Sequence, residues 1–191
     1  AGADVDVAPS PKDATKLLSP GWVGEDIAFG DEAGAGSALV VDKHGRPHLM
    51  YGVGGDRVRY ARRPEGVPAF GGSGDGTWEK LDIDHQSGQS PLLRNALVVE
   101  DDGTAVASYC DWQVAMSHLN LAVRAPERAG APPTLFTVTL AREQPKPGID
   151  GPSNALLARP DGTFDVAAVR LDDGSVQLGA FDPKKPAALL D

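Results

Sequence analysis

Cysteine is nearly absent from this chain: Cys110 stands alone among 191 residues, so no intrachain disulfide and no cysteine-rich metal site is available. Basic residues are also short, with 18 Lys and Arg against 27 Asp and Glu for a net charge of −9. That balance excludes a dedicated binder of nucleic acid or of an anionic membrane surface, which needs a basic face. No apolar run approaches the roughly 18 residues of a membrane-spanning segment. Apart from about one turn around Asp13 to Leu18, no stretch carries the apolar period of a helix. Several chemistries are missing as well. No serine has glycine two residues before and two after it, which removes the nucleophile elbow. Gly52-Val-Gly-Gly55 lacks the third glycine and following helix of a dinucleotide site, and reads as a hairpin tip. His44 and His48 are separated by Gly45 and Pro47, so they are expected as turn residues rather than a helical metal pair.

Turn formers are what the chain does have. Its 23 glycines and 16 prolines stay below the roughly 25–30% that marks disorder, yet they imply many tight turns. The length suits one domain with a real core. Residues 1–18 read as a flexible leader and 19–191 as the folded unit, since Ala1 to Pro11 are small, polar and proline-bearing. An end of the type Ala1-Gly-Ala is what a signal peptidase leaves, which favours a secreted or periplasmic protein. A single unpaired cysteine suits the cytosol equally well.

A repeat carries most of the information. Ser37-Ala-Leu-Val-Val-Asp-Lys-His-Gly45, Asn95-Ala-Leu-Val-Val-Glu-Asp-Asp-Gly103 and Asn154-Ala-Leu-Leu-Ala-Arg-Pro-Asp-Gly162 align, with their closing glycines 58 and 59 residues apart. Each opens with a short apolar run and closes on a glycine, the residue that accepts φ > 0 in a tight turn. A second run follows at Pro47 to Tyr51, Thr104 to Tyr109 and Thr163 to Val169. A third lies at Arg57 to Ala61, Met116 to Val123 and Ser175 to Phe181, with the alternation of a strand that buries one face. Trp78 to Ile83 and Phe136 to Leu140 mark a fourth, and Trp22 to Ile27 repeats it upstream. Four strands every 58–59 residues predict an all-β fold, a β-propeller built from four-stranded blades, of which this chain holds about three.

The pattern Ser/Asn-Ala-Leu-x-x-Asp-x-x-Gly-x-Pro-His-x-x-Tyr, most complete from Ser37 to Tyr51, resembles the repeats of bacterial sialidase-like β-propellers. Ser73-Gly-Asp-Gly-Thr-Trp78 is similar to the Asp-box of that family, two residues short of it. The resemblance spans roughly residues 22–185, and its motifs name a fold rather than a substrate. It implies an Asp-box turn facing away from the ligand side. Ser73, Asp75 and Gly76 are therefore expected as structural turn residues, as are Gly45, Gly103 and Gly162. Catalytic members use arginines on a substrate carboxylate, a tyrosine nucleophile with a glutamate, and an aspartate acid/base. Arg94, Arg170, Tyr109 and Asp111 are the residue types for such a set, but the arginine-bearing motif has no residue-by-residue match here. No catalytic residue is assigned.

Propellers have four to eight blades, so three leave two sheet faces open. The leading strand at 22–29 is expected to complete a terminal blade. The ring is then finished by a second copy, giving a six-bladed homodimer, or by a companion chain carrying further blades. Ligands of propellers gather where loops from several blades converge. The candidate ligand-binding residues are Tyr109, Asp111, Trp112, His85, Arg94 and Arg170, an aromatic plate beside carboxylate and guanidinium groups that suits a glycan or a partner protein. For each of these residues taken alone, packing or solvation is the plainer role. Asp101-Asp102-Gly103 and Asp172-Asp173-Gly174 attract calcium in some settings, but Asp-Gly is also the common tight-turn pair, and no cofactor is expected. Cys110 is expected as a packed thiol, or as a dimer disulfide if it lies at an interface. The functions that fit are a non-catalytic binding propeller, part of a sialidase-like glycoside hydrolase, or an architectural subunit.

Overall fold

The computed structural model describes residue 27 and residues 35–54, 57–64, 78–85, 90–91, 95–112, 117–125, 135–143, 153–170 and 173–183. For residues 35, 84–85, 90–91, 111–112, 117–118 and 135–143 it describes the backbone alone. Across these residues the chain is all-β and forms three antiparallel sheets. The first is a meander of β1 (Ala35–Val41), β2 (Pro47–Val53), β3 (Arg57–Arg62) and β4 (Glu79–His85). The second holds β5 (Ser90–Pro91), β6 (Ala96–Val99), β7 (Ala105–Trp112), β8 (Ser117–Arg124) and β9 (Leu135–Glu143), with β5 and β6 both paired to β7. The third is β10 (Asn154–Ala158), β11 (Phe164–Val169) and β12 (Val176–Phe181). Among the described residues no helix is long and apolar enough to cross a membrane.

The same turn joins the first two strands of every repeat. Gly45, Gly103 and Gly162 donate their N–H groups to the carbonyls of Asp42, Glu100 and Arg159 at 2.9, 2.9 and 3.0 Å. Their φ angles of 75°, 88° and 80° lie in the left-handed region, which explains why glycine closes this turn in each repeat. Asp102 Oδ1 accepts the N–H of Thr104 at 2.8 Å, and Asp161 Oδ1 that of Thr163 at 2.9 Å, so these acids brace the turns that contain them.

Strand register aligns the three repeats residue by residue. Leu39, Leu49 and Ala61 face one another across β1, β2 and β3. Leu97, Ala107 and Ala122 do so in the second sheet, and Leu156, Val166 and Gly179 in the third. Period-2 alternation then sends successive residues to opposite faces. In β7, Ala105, Ala107 and Tyr109 pack with Met50, Val58, Tyr60 and Ile83 of the first sheet. Val106 and Cys110, of the opposite parity, pack with Phe164, Val166 and Phe181 of the third. The second sheet is thus covered on both faces. Burying the larger aliphatic and phenyl side chains among them contributes roughly 1.5–3 kcal/mol each.

Side-chain amides tie each sheet to its predecessor. Asn95 donates to the carbonyl of Gly36, and Asn154 both accepts from the Ser108 hydroxyl and donates to Cys110 Sγ, the latter at 3.4 Å. The asparagine that opens each later repeat is therefore a fastener between sheets.

Three expectations change. His48 is not a turn residue: it lies in β2 and is buried on the face where its ring meets the Tyr60 hydroxyl. Asp111 and Trp112 are not in a loop, since β8 and the short β5 pair with both edges of β7 out to Trp112. Ile27 lies in a bend and packs against Tyr51, Val53 and Ala61, while the rest of the leading strand, the leader and Ser73, Asp75 and Gly76 fall outside the described residues.

Candidate functional site

The Asn fasteners also fix how the sheets are oriented. Asn95, just before β6, reaches Gly36 at the start of β1, and Asn154, opening β10, reaches residues near the end of β7. First strands therefore run in the same sense. The ends of the sheets that carry the β2–β3, β7–β8 and β11–β12 connections consequently share one side of the molecule.

Charged residues collect along that rim. In the first sheet Val53, Arg57 and His85 are register partners. In the second, Pro91, Asp111, His118 and Arg142 form the equivalent row, with Trp112 one residue beyond. In the third, Arg170 donates its N–H to the carbonyl of Ser175 at 2.8 Å. Three of the sequence candidates, His85, Asp111 and Arg170, thus occupy matching ends of different sheets, and Trp112 adjoins them. Arg94 falls outside the described residues. Tyr109 does not join them: it is fully buried between the first two sheets, beside Met50 and Ala122. It offers neither a plate to a ligand nor a nucleophile to a substrate.

Arg57, His118 and Arg142 belong to the rim but are not among the candidates read from the sequence. The available signal is positional: Arg57, His118 and Ser175 hold one register position of the third strands. Mixed imidazole, carboxylate and guanidinium groups supply both donors and acceptors, the requirement for a polyhydroxylated ligand.

A second cluster lies at the opposite ends of the sheets, inside the joint between the first two. Asp42 Oδ1 accepts the N–H groups of His44 and Arg46, each at 2.9 Å, and Oδ2 takes the Arg46 guanidinium at 2.7 Å. His48 Nε2 stands 3.3 Å from the same carboxylate, and its Nδ1 is 2.5 Å from the Tyr60 hydroxyl. Burial pushes the Asp42 carboxyl up, but the Arg46 N–H and guanidinium, His48 and the His44 N–H outweigh it and hold the acid well below its usual range. With Asp42 ionised, Nε2 carries the ring proton and Nδ1 accepts from Tyr60. The Arg124 guanidinium from β8 lies 5.5 Å over the Tyr60 ring.

A Tyr-His-Asp chain has the order of a nucleophile relay, yet its electrostatics run the other way. Burial pushes the Tyr60 hydroxyl up to about 12, which opposes formation of a phenolate. Tyr60 is also enclosed by apolar neighbours such as Leu81, Leu97 and Ala107. The cluster is structural. In the third repeat the same two positions hold Arg159 and Asp165, bonded Nε to Oδ2 at 2.9 Å. In the second they hold Glu100 and Val106, and Glu100 Oε1 has no hydrogen-bond partner among the described residues.

Cys110 is buried between the second and third sheets, where it cannot reach another chain for a disulfide. Asp173 Oδ1 accepts the Ser175 N–H at 2.8 Å, the same turn-bracing role as Asp102. Among the described residues no three of His, Cys, Asp and Glu stand together as a metal site would require. Compared with family models and with curated proteins, the chain gives no match to either.

Proposed function

We propose that this chain is a binding module of the β-propeller type, taking a glycan on the rim formed by the β2–β3, β7–β8 and β11–β12 ends. The observation that carries this reading is the shared position of Arg57, His85, Asp111 and Arg170, which come from three sheets to one side of the molecule. Repeated sheets that present equivalent ends to one side build a composite surface, and such surfaces hold ligands too large for any single loop. The burial of Tyr109 weighs against a glycoside hydrolase that would use it as nucleophile.

Calorimetric titration with neutral and acidic oligosaccharides tests this. Arg170→Ala is expected to weaken binding about tenfold or more, the loss of one charge-assisted hydrogen bond. Trp112→Ala is expected to weaken it as well. Unchanged affinity in both variants, or no binding by the unaltered protein at millimolar glycan, would sink the proposal.

A further inference from the structure

We propose that two copies of this chain join head to tail, the open face of the third sheet in one copy closing on the open face of the first sheet in the other. This deepens the propeller reading above and rests on it. Register equivalence supplies the argument. Tyr60, Leu121 and Leu178 hold one position in the third strands of the three repeats. Tyr60 is 3% exposed and Leu121 1%, because each is covered by the sheet that follows. Leu178 is 71% exposed. Its neighbour Val176, equivalent to the buried Val58 and Leu119, is open in the same way, as is Leu157 of β10.

Among the described residues the first sheet is open at the β1 edge of its opposite face, while Tyr51, Val53 and Ala61 on that face are buried. Leu97 is 6% exposed beneath the preceding sheet, whereas Leu39, which holds the same repeat position, is 63% exposed, with Val41 open beside it. The third sheet therefore carries the surface that the first two offer to their successors. The first carries the surface that the second and third offer to their predecessors. These are the two halves of a joint the chain already makes twice within itself, and a second copy supplies both missing halves. Part of the first face is arranged as inside such a joint: Ile27 rests on Tyr51 and Ala61, which hold the repeat positions of Tyr109 and Ala122 in the cluster containing Ile83. On the third face Asp165 is paired, its Oδ2 accepting from Arg159 Nε at 2.9 Å. Two such joints related by a two-fold axis give a ring of six sheets, within the range of closed propellers.

Light scattering on a sizing column, with far-UV circular dichroism to verify folding, tests the proposal. The unaltered chain is expected at twice its 19.9 kDa. Leu39→Asp and Leu178→Asp are each expected at the monomer mass with an unchanged spectrum. Mixed together, the two variants are expected to recover a pair, because the third face of the first variant and the first face of the second are intact. A monomeric unaltered chain, a mass that climbs without limit with concentration, or loss of pairing in Leu178→Asp but not in Leu39→Asp would overturn it. Arg170→Ala leaves the pair intact on this view, so a failure of glycan binding in a protein of dimer mass would refute the ligand reading and not the interface.

Discussion

The Nδ1 of His48 lies 2.5 Å from the hydroxyl of Tyr60, inside the joint between the first two sheets, where neither side chain meets bulk water. The bond links β2 to β3 and, through Asp42, to the turn that precedes them. Arg124 caps the arrangement from the neighbouring sheet. A polar chain in this place holds one turn, two strands and a sheet-to-sheet contact together, which makes its members sensitive points.

Tyr60→Phe keeps the ring and its packing but leaves His48 Nδ1 buried without a donor. A loss of about 1–3 kcal/mol is expected from the unsatisfied acceptor. Urea unfolding followed by circular dichroism measures it, and a change within error would show that the hydroxyl contributes nothing.

Acid is expected to destabilise the fold in two stages. Burial lowers the His48 pKa from 6.5, reinforced by the Arg46 and Arg62 charges and opposed by Asp42. Below pH 6.5 the unfolded chain takes a proton that the folded chain refuses, so stability falls as pH drops. Asp42 adds a second loss below 3.8, where its unfolded carboxylate protonates and the folded one does not. At the alkaline end Tyr60, pushed up to about 12, loses stability as pH rises above 10. Unfolding midpoints recorded from pH 5 to 8 should slope upward in the unaltered protein and flatten in His48→Gln.

Asn154→Ala should loosen the joint between the second and third sheets. It removes the acceptor of the Ser108 hydroxyl and the donor to Cys110 Sγ together. A cost of about 1–3 kcal/mol is expected because Ser108 is fully buried. Faster reaction of Cys110 with a thiol reagent would report the opening directly, and an unaltered rate would show that Asn154 is no fastener.

Gly162→Ala isolates backbone strain from crowding. A Cβ there meets no atom within 4 Å, but φ is 80°. The expected cost is about 1–2 kcal/mol, the penalty of the left-handed region for an ordinary residue. Gly162→Asn should cost less, since asparagine tolerates that region, and equal losses would point to another cause.

Strands were plain in the sequence because their signals are local. The runs opening at Ser37, Asn95 and Asn154, their closing glycines and the alternation in Arg57 to Ala61 each need only neighbouring residues to be read. The short β5 was not legible, since two residues carry no period. His48 was misread for a related reason: beside Gly45 and Pro47 it looks like part of a turn, and its burial depends on Tyr60 twelve residues away. Of the rim, His85, Asp111 and Arg170 were legible as polar residues of connecting loops, although His85 and Asp111 lie within strands, while the place of His118 emerged only from strand pairing.

Leu39, Leu97 and Leu156 show where local pattern stops. Each follows an alanine at the start of a repeat, and each is committed by that pattern to a strand and to one face of a sheet. Which of them is covered is a matter of what lies across that face. Leu97 meets the first sheet and Leu156 the second, whereas Leu39 meets none among the described residues. Backbone geometry sets the face through a period of two residues; burial requires a partner surface, and that comes from chain far away in sequence.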